Sequence, residues 1–410
     1  MSDPGARAVS ALGFAALIAL AWATSSDRRH APWRTVAWGI GIQLALGILL
    51  LKTPLGGLFF RGMNAVVVAL SAYVDAGARF VFGALLDTGF SFAVQVLPVI
   101  VFMGSLFGVL YHLGLLQRVV DVLAAALSRT MGTSGAESLG AIANLFVGMT
   151  ESALIVRPYL ERMTRSELFT LMTLGMATVA GSVMLAYVIM LGGGDYAGHL
   201  ATASLLSAPA GILVAKLMVP EREVPETRAG GHARVERASV NAIDAAAQGA
   251  LAGLRLAAYV GALLLAFVAL IAMLNDALAW LGAGVGIEAL SLQRVLGVLL
   301  APLAWLMGVP WVDAARVGAL LGVKTVLNEF LAYAELADLV SAGALAPRSA
   351  IIASYALCGF ANFGSLAILL GGIGGLAPSR RAEVARLGMR SILSGSIASF
   401  MTACVAGMLL

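Results

Sequence analysis

The sequence predicts an all-α polytopic membrane protein, arranged as an inverted repeat with two re-entrant hairpins. Three observations carry that prediction. Of 410 residues, 60% are hydrophobic and 12% charged, against about 45–50% and ~25% in a soluble domain. The apolar residues fall in runs of roughly 20, the length that crosses a bilayer as a helix. Polar islands around Glu151, Asn328–Glu329 and Asn362 interrupt those runs. Hydrocarbon tolerates polar groups and broken backbone only where protein or a wet cavity surrounds them.

Composition also excludes other classes. The net charge of +4 and pI of 9.3 come from arginines gathered in short loops, where they orient spans. No basic stripe with interleaved aromatics is present, so nucleic-acid binding is not expected. Cys358 and Cys404 sit in apolar segments without metal-ligand spacing. No cleavable leader is expected, because the positive charge follows the first apolar segment instead of preceding it. No nucleophile elbow, P-loop or zinc motif appears. Catalysis and ATP-driven transport are therefore not expected.

In chain order, a first span covers about residues 8–24. The basic loop from Asp27 to Arg34 follows and places the N-terminus outside. A second span covers about 35–51. Residues 54–87, interrupted by Arg61, Asp75, Arg79 and Asp87, suit interfacial amphipathic helices. A span over about 90–113 returns to the cytoplasm, and 117–129 reads as an amphipathic helix there. Residues 137–162 form two half-length arms joined at Gly148, which suggests a re-entrant hairpin, with a single kinked crossing as the alternative that hydropathy alone does not separate. Spans follow over 168–191 and about 200–218, separated by the loop Gly192–Asp195. Residues 220–237 read as a solvated linker, 240–254 as an amphipathic helix, 257–274 as a span and 275–293 as an external region.

From Val295 the plan returns: an apolar arm, a break at Pro310–Trp311, a polar tip at 324–329 and an exit arm ending near Asp338. A span over about 350–370 carries its own polar knot at 359–365. The basic loop 378–390 and a last span over 391–410 put the C-terminus outside. By loop charge the two units enter from opposite sides. Such inverted repeats occur in secondary transporters, with binding sites where broken helices meet.

Glu151 and Glu329 hold matching places in the two units. An acidic residue at a helix centre costs about 2.5–3.5 kcal/mol on translocon scales, so each needs compensation. A structural ion pair would supply it, from Arg157 or Arg162 for Glu151 and from Lys324 for Glu329; a polar ligand is the other source. Ionised carboxylates only accept hydrogen bonds, which suits sugar hydroxyls, ring N–H groups or a cation. Asn144 and Thr178 flank interrupted backbone and offer neutral oxygens, which fit a Na⁺ site and interhelical hydrogen bonding equally. The small residues of 176–183 fit close helix contact or approach to a ligand. Phe360, Asn362 and Ser365 offer a ring face, an amide and a hydroxyl on adjacent turns. His30, His199 and His232 are expected in loops, and His112 at the end of a span.

These motifs together resemble the concentrative nucleoside transporters. The likeness rests on Val147-Gly148-Met149-Thr150-Glu151, on 177–183, on Asp244 to Ala250, on Leu327-Asn328-Glu329-Phe330-Leu331-Ala332-Tyr333 and on 355–365, in that order, from about Gly132 to the end of the chain. It implies a homotrimer in the bacterial inner membrane that takes up nucleosides with Na⁺, or alternatively H⁺, through an elevator motion of a transport domain against a scaffold. It implies scaffold elements in 1–115, a first transport unit in 116–220, a linker, amphipathic helix and scaffold span in 221–294, and a second transport unit in 295–410. Gly148, Met149, Thr150 and Glu151, with Val183 opposite, would face the nucleobase. Glu329, Asn362 and Ser365 would hold the ribose, with Phe360 nearby. The side chains of Asn144 and Thr178 and the carbonyls of Val147 and Val179 would bind Na⁺; no other cofactor is implied. Met149 stands where many members carry Gln, so an amide contact becomes a soft apolar one and base preference stays open. A passive channel, or a receptor or membrane enzyme, are the rival classes.

Overall fold

Long apolar runs without proline or charge form continuous helices, and the polar islands are where helices stop. The computed structural model describes residues 4–87, 91–227, 239–284, 286–287 and 290–410, and contains no strand among them. Helices α1 (Pro4–Ala23), α2 (Trp33–Lys52) and α3 (Pro54–Phe82) open the chain. Residues 54–87, expected as separate interfacial helices, instead form one long helix closed by a 3₁₀ turn, Gly83–Asp87. The charges at 61, 75 and 79 lower local hydropathy, but no proline lies among them, so the helix continues. Helix α4 (Leu97–His112) follows a π turn, and α5 (Leu115–Met131) is the expected amphipathic helix. Position 90, the expected start of the preceding span, lies outside the described residues.

The hairpin at 137–162 is re-entrant, which resolves the two sequence readings. Helix α6 (Gly135–Val147) stops at Gly148, whose φ of +99° reverses the chain, and α7 (Met149–Ile155) and α8 (Arg157–Leu160) run back. A Cβ built on Gly140, eight residues before the turn, would lie 3.5 Å from Val156, eight residues after it. Two half-length arms lying side by side cannot be one kinked crossing. The base of this hairpin is clasped by charge. Capping boxes at Ser134/Glu137 and Thr164/Glu167 start α6 and α9 (Arg165–Ala177). The Ser134 hydroxyl donates to Glu167. Lys216, near the end of α11 (Tyr196–Met218), pairs with Glu137 at 2.8 Å and Glu221 at 3.2 Å.

Helix α10 (Gly181–Met190) continues α9 after an unwound stretch at 178–180. Residues 228–238, with most of the expected linker and His232, lie outside the described residues. The expected amphipathic helix and span at 240–274 are one uninterrupted 43-residue helix, α12 (Ala242–Gly284). It packs closely on α4, since a Cβ on Gly253 would sit 2.6 Å from the carbonyl oxygen of Ile100 and one on Gly108 2.6 Å from that of Ala245. Facing pairs of glycines four apart, 104/108 and 249/253, let the two backbones approach.

Helices α13 (Leu292–Leu306) and α14 (Trp311–Val326) meet at a 115° bend, next to the predicted break. The second hairpin is formed by α14 and α15 (Glu329–Ser341), with its tip at 327–328. Asp313, at the start of α14, closes its base by accepting from the Ala346 amide at 3.1 Å and the Ser349 hydroxyl at 2.6 Å. Helices α16 (Pro347–Leu357) and α17 (Phe363–Leu376) are separated by unwound backbone at 358–362, and α18 (Arg381–Leu409) closes the chain.

Among the described residues, eight helical segments are long and apolar enough to cross a membrane. They differ in how far protein encloses them. The windows covering α9–α10, α11 and α18 are 83–94% enclosed by protein, whereas those of α3, α4 and α12 are 17–22% enclosed and turn apolar side chains outward.

Candidate substrate and cation site

Two helices are broken at their middles, and the breaks touch. A Cβ on Gly359 would lie 2.9 Å from the Met176 carbonyl oxygen and 3.0 Å from that of Ala177. From α18, the Ser399 hydroxyl donates to the Cys358 carbonyl at 3.2 Å and reaches that of Ala177 at 3.5 Å. The hairpin tips close on this crossing, so that four helices, α7, α10, α15 and α17, begin around it. Their N-termini carry partial positive charge and free N–H groups, which favour an anionic or oxygen-rich partner.

Glu329 is the first residue of α15 and is buried, 3% exposed. Its Oε1 accepts from the Tyr187 hydroxyl at 3.0 Å and its Oε2 from the Asn362 amide at 2.7 Å. Asn362 caps α17, its Oδ1 accepting the Ser365 amide at 2.7 Å, and so joins the carboxylate to that helix. The Tyr187 ring is stacked on Tyr333 at 4.3 Å and meets Phe330 edge-on at 4.9 Å. The ion pair offered by Lys324 is not formed. Lys324 instead donates to the Ala356 carbonyl at 2.8 Å. Phe360 is enclosed in the same break, and Ser365 is buried one turn into α17.

Hairpin 1 presents a different chemistry. Glu151 and Thr150 are exposed at its tip, and neither Arg157 nor Arg162 pairs with Glu151; Arg162 instead meets Glu226 at 2.7 Å. A Cβ on Gly148 would lie 3.3 Å from both Glu151 Oε2 and the Ala180 side chain. The carboxylate therefore sits beside the start of α10. Val183 and Tyr187 follow one and two turns along that helix, so Glu151 and Glu329 face a common element roughly 10 Å apart along it. Met149 is buried against Gly175, and Thr150 packs against Gly372.

Behind the tip, buried Asn144 donates from Nδ2 to the Leu174 carbonyl at 2.7 Å and to the Thr178 hydroxyl at 2.6 Å. Its Oδ1 receives only a long contact, 3.4 Å, from the Ser152 hydroxyl. Among the described residues, the carbonyls of Val147 and Val179 accept no hydrogen bond outside regular helix. Neutral oxygens at two helix C-termini, with acceptors to spare, form a donor set that suits a hard monovalent cation. Among the described residues no cluster of His, Cys, Asp and Glu could hold a metal ion.

Comparison with known proteins gives this geometry a family. Models of the Na⁺-dependent nucleoside transporter N-terminus and C-terminus match residues 12–85 and 199–407, and a nucleoside-recognition gate model matches 93–194. An uncharacterized transporter of Bacillus subtilis, YutK, is 44% identical over 400 residues, covering 97% of this chain and 98% of its own. The chain belongs to the Na⁺-dependent nucleoside transporter family. Sodium/nucleoside cotransporter 1 of Rattus norvegicus is 40% identical over 415 residues, and this transporter spans 98% of itself but 63% of that longer relative. Solute carrier family 28 member 3 of the rat is 43% identical, with 58% of its length spanned. Among solved structures, CNTnw in an inward-facing substrate-bound state superposes with a TM-score of 0.92 at 45% identity, covering 98% of both chains. A substituted form of CNTnw in an outward-facing state gives 0.94 at 45% identity, with the same coverage. The transporter is thus a multi-pass membrane protein whose relatives move solutes and are not enzymes.

All three polar islands of the sequence converge on the crossing breaks of the transporter. Tyr187, Ser152 and Ser399 were not foreseen. Tyr187 could have been found, because it lies four residues after Val183 on one helical face. His199, expected in a loop, is buried in α11 between Phe60 and Tyr355. The helix begins at Tyr196, directly after the glycine loop.

Proposed function

We propose that the chain imports nucleosides across the bacterial inner membrane by Na⁺-coupled symport with alternating access. The observation that carries this reading is Glu329, buried at a helix N-terminus and held on both oxygens by Tyr187 and Asn362. Its remaining lone pairs suit the paired hydroxyls of a ribose, with Asn362 and Ser365 beside it and Phe360 packing nearby. Gly148, Met149, Thr150, Glu151 and Val183 face the base. Asn144 and Thr178, with the carbonyls of Val147 and Val179, take the Na⁺. The neutral donor set favours Na⁺ over H⁺, since none of its side chains exchanges a proton near neutral pH.

Residues 116–220 and 295–410 work as two oppositely oriented units of a moving transport domain, against a scaffold from 1–115 and 221–294. The charged loops put both termini outside. Three copies assemble through the scaffold, and lipid covers the rest of the apolar perimeter.

The test is uptake of radiolabelled nucleoside into proteoliposomes. An inward Na⁺ gradient is expected to concentrate intact nucleoside, and replacing Na⁺ with choline at fixed pH to stop it. Equal uptake in choline, driven instead by a pH gradient, would transfer the coupling to H⁺. Uptake that only equilibrates would indicate a channel.

A further inference from the structure

Helix α5 carries two apolar faces, and protein covers one of them. Leu116, Val120, Ala124, Leu127 and Met131 are buried along one side. Roughly a third of a turn away, Leu115, Val119, Val122 and Ala126 form a ridge at helical spacing. All four are exposed, Val122 at 70%. The remaining side is polar: Gln117 donates to Asp121 at 2.7 Å, and the Ser128 hydroxyl donates to the Thr133 carbonyl at 2.8 Å.

The ends of α5 fix how it lies. It follows α4 across Gly114 and leads into hairpin 1 across Gly132, both with positive φ, +71° and +73°, where the chain turns sharply. Its last turn is bonded to the first turn of α2. The Thr35 hydroxyl donates to the Met131 carbonyl at 2.9 Å, and the Arg34 guanidinium donates to the Arg129 carbonyl at 3.2 Å. One end of α5 thus sits where α4 leaves the membrane and the other where α2 enters it, on the same side by loop charge. A helix of 17 residues, pinned at both ends to one boundary, lies along that boundary. Its exposed ridge then meets acyl chains, and its polar side meets the cytosol.

Charge selects the kind of lipid. Arg118 and Arg129 border the ridge near its two ends, and Arg34 reaches Arg129 from α2. Among the described residues no carboxylate pairs with any of the three. Bringing Arg34 and Arg129 together without an acid sets like charges side by side, a cost that an anion between them removes. Trp33, 66% exposed, adjoins them at the start of α2, where an indole ring sits at headgroup level. We infer that the α2–α5 corner binds an anionic phospholipid of the cytoplasmic leaflet, its phosphate against Arg34 and Arg129 and its chains along Val122 and Val119. This rests on the proposed topology and not on what is transported. Lipid held there anchors the helix that leads into hairpin 1.

Thermal unfolding of the purified protein in mixed micelles reads the binding. Phosphatidylglycerol carries a net negative charge and phosphatidylcholine none, although both hold a phosphate diester. Phosphatidylglycerol should raise the wild-type midpoint by about 2 °C or more over phosphatidylcholine, and inorganic phosphate should not. Arg129→Gln, whose side chain holds no other group of the protein, should lose most of that shift, and Arg34→Gln/Arg129→Gln nearly all of it. Arg381→Gln/Arg386→Gln takes the same charge from the cytoplasmic face and should keep the shift. A nitroxide on Val122→Cys should be more accessible to oxygen than to a water-soluble nickel chelate; the native Cys358 and Cys404 are buried and stay unlabelled. Equal wild-type midpoints in the two lipids, equal losses in the two double variants, or a shift from inorganic phosphate as large as that from lipid overturns the inference. So does a nitroxide that meets the chelate more readily than oxygen. Labelling of Arg118→Cys by an impermeant maleimide added outside intact spheroplasts overturns it through the topology instead, and leaves the nucleoside reading untouched.

Discussion

At the scale of single residues, the decisive feature is how a carboxylate is kept inside the fold without a counter-ion. Glu329 accepts from Tyr187 and Asn362 and begins a helix, so hydrogen bonds and a helix terminus replace an ion pair. Glu329→Gln keeps the shape but turns one acceptor oxygen into a donor. Uptake should fall to background while the protein still purifies as a folded species, and wild-type rates would remove Glu329 from the site. Tyr187→Phe deletes one of the two holding bonds without changing volume. Its KM for nucleoside should rise roughly tenfold, in line with about 1.5 kcal/mol for a hydrogen bond to a charged group, with little change in maximal rate. The sequence exposed Glu151, Glu329, Asn144 and Asn362 because such groups are expensive in an apolar run. It hid Tyr187, because an aromatic in an apolar helix is ordinarily packing, and only tertiary structure brings its hydroxyl to a residue 142 positions away.

At the scale of elements, breaks matter more than spans. The hairpins were legible because half-length apolar arms around a glycine or an Asn-Glu pair cannot cross alone. Their clasps were not, since Glu137, Glu167 and Lys216 come from three helices, and Asp313 reaches a loop 33 residues on. Helix α12 was read as two elements because Asp244, Gln248 and Arg255 depress hydropathy around 240–255. No proline accompanies them, so the backbone continues. Asp313→Ala removes the acceptor for the Ala346 amide and the Ser349 hydroxyl. Stability should drop by about 1–3 kcal/mol, the cost of leaving buried donors unpaired, seen as a lower midpoint in thermal unfolding. An unchanged midpoint would show that the base of hairpin 2 is held by packing alone.

For the whole molecule, the enclosed core of α9–α10, α11 and α18 contrasts with the largely exposed apolar faces of α3, α4 and α12. Lipid can cover such faces, and so can neighbouring subunits. The proposed trimer predicts a mass of three chains in native mass spectrometry from nanodiscs; a monomer that transports at full rate would contradict it. The all-helical class was secure from composition alone, because a mean hydropathy of +0.94 leaves few alternatives. Which spans form the core was not, since burial within protein and burial in lipid select the same residues.

The proposed coupling of a nucleoside to a cation at one site must be reciprocal, so it is measurable from either ligand. Binding of labelled nucleoside to the purified protein in Na⁺ and in choline gives the factor by which Na⁺ tightens the nucleoside. The same factor must appear in Na⁺ affinity measured with and without nucleoside. Equal factors well above one are expected in wild type, and a factor of one in Asn144→Leu. Nucleoside affinity indifferent to Na⁺ in the wild-type protein would contradict it.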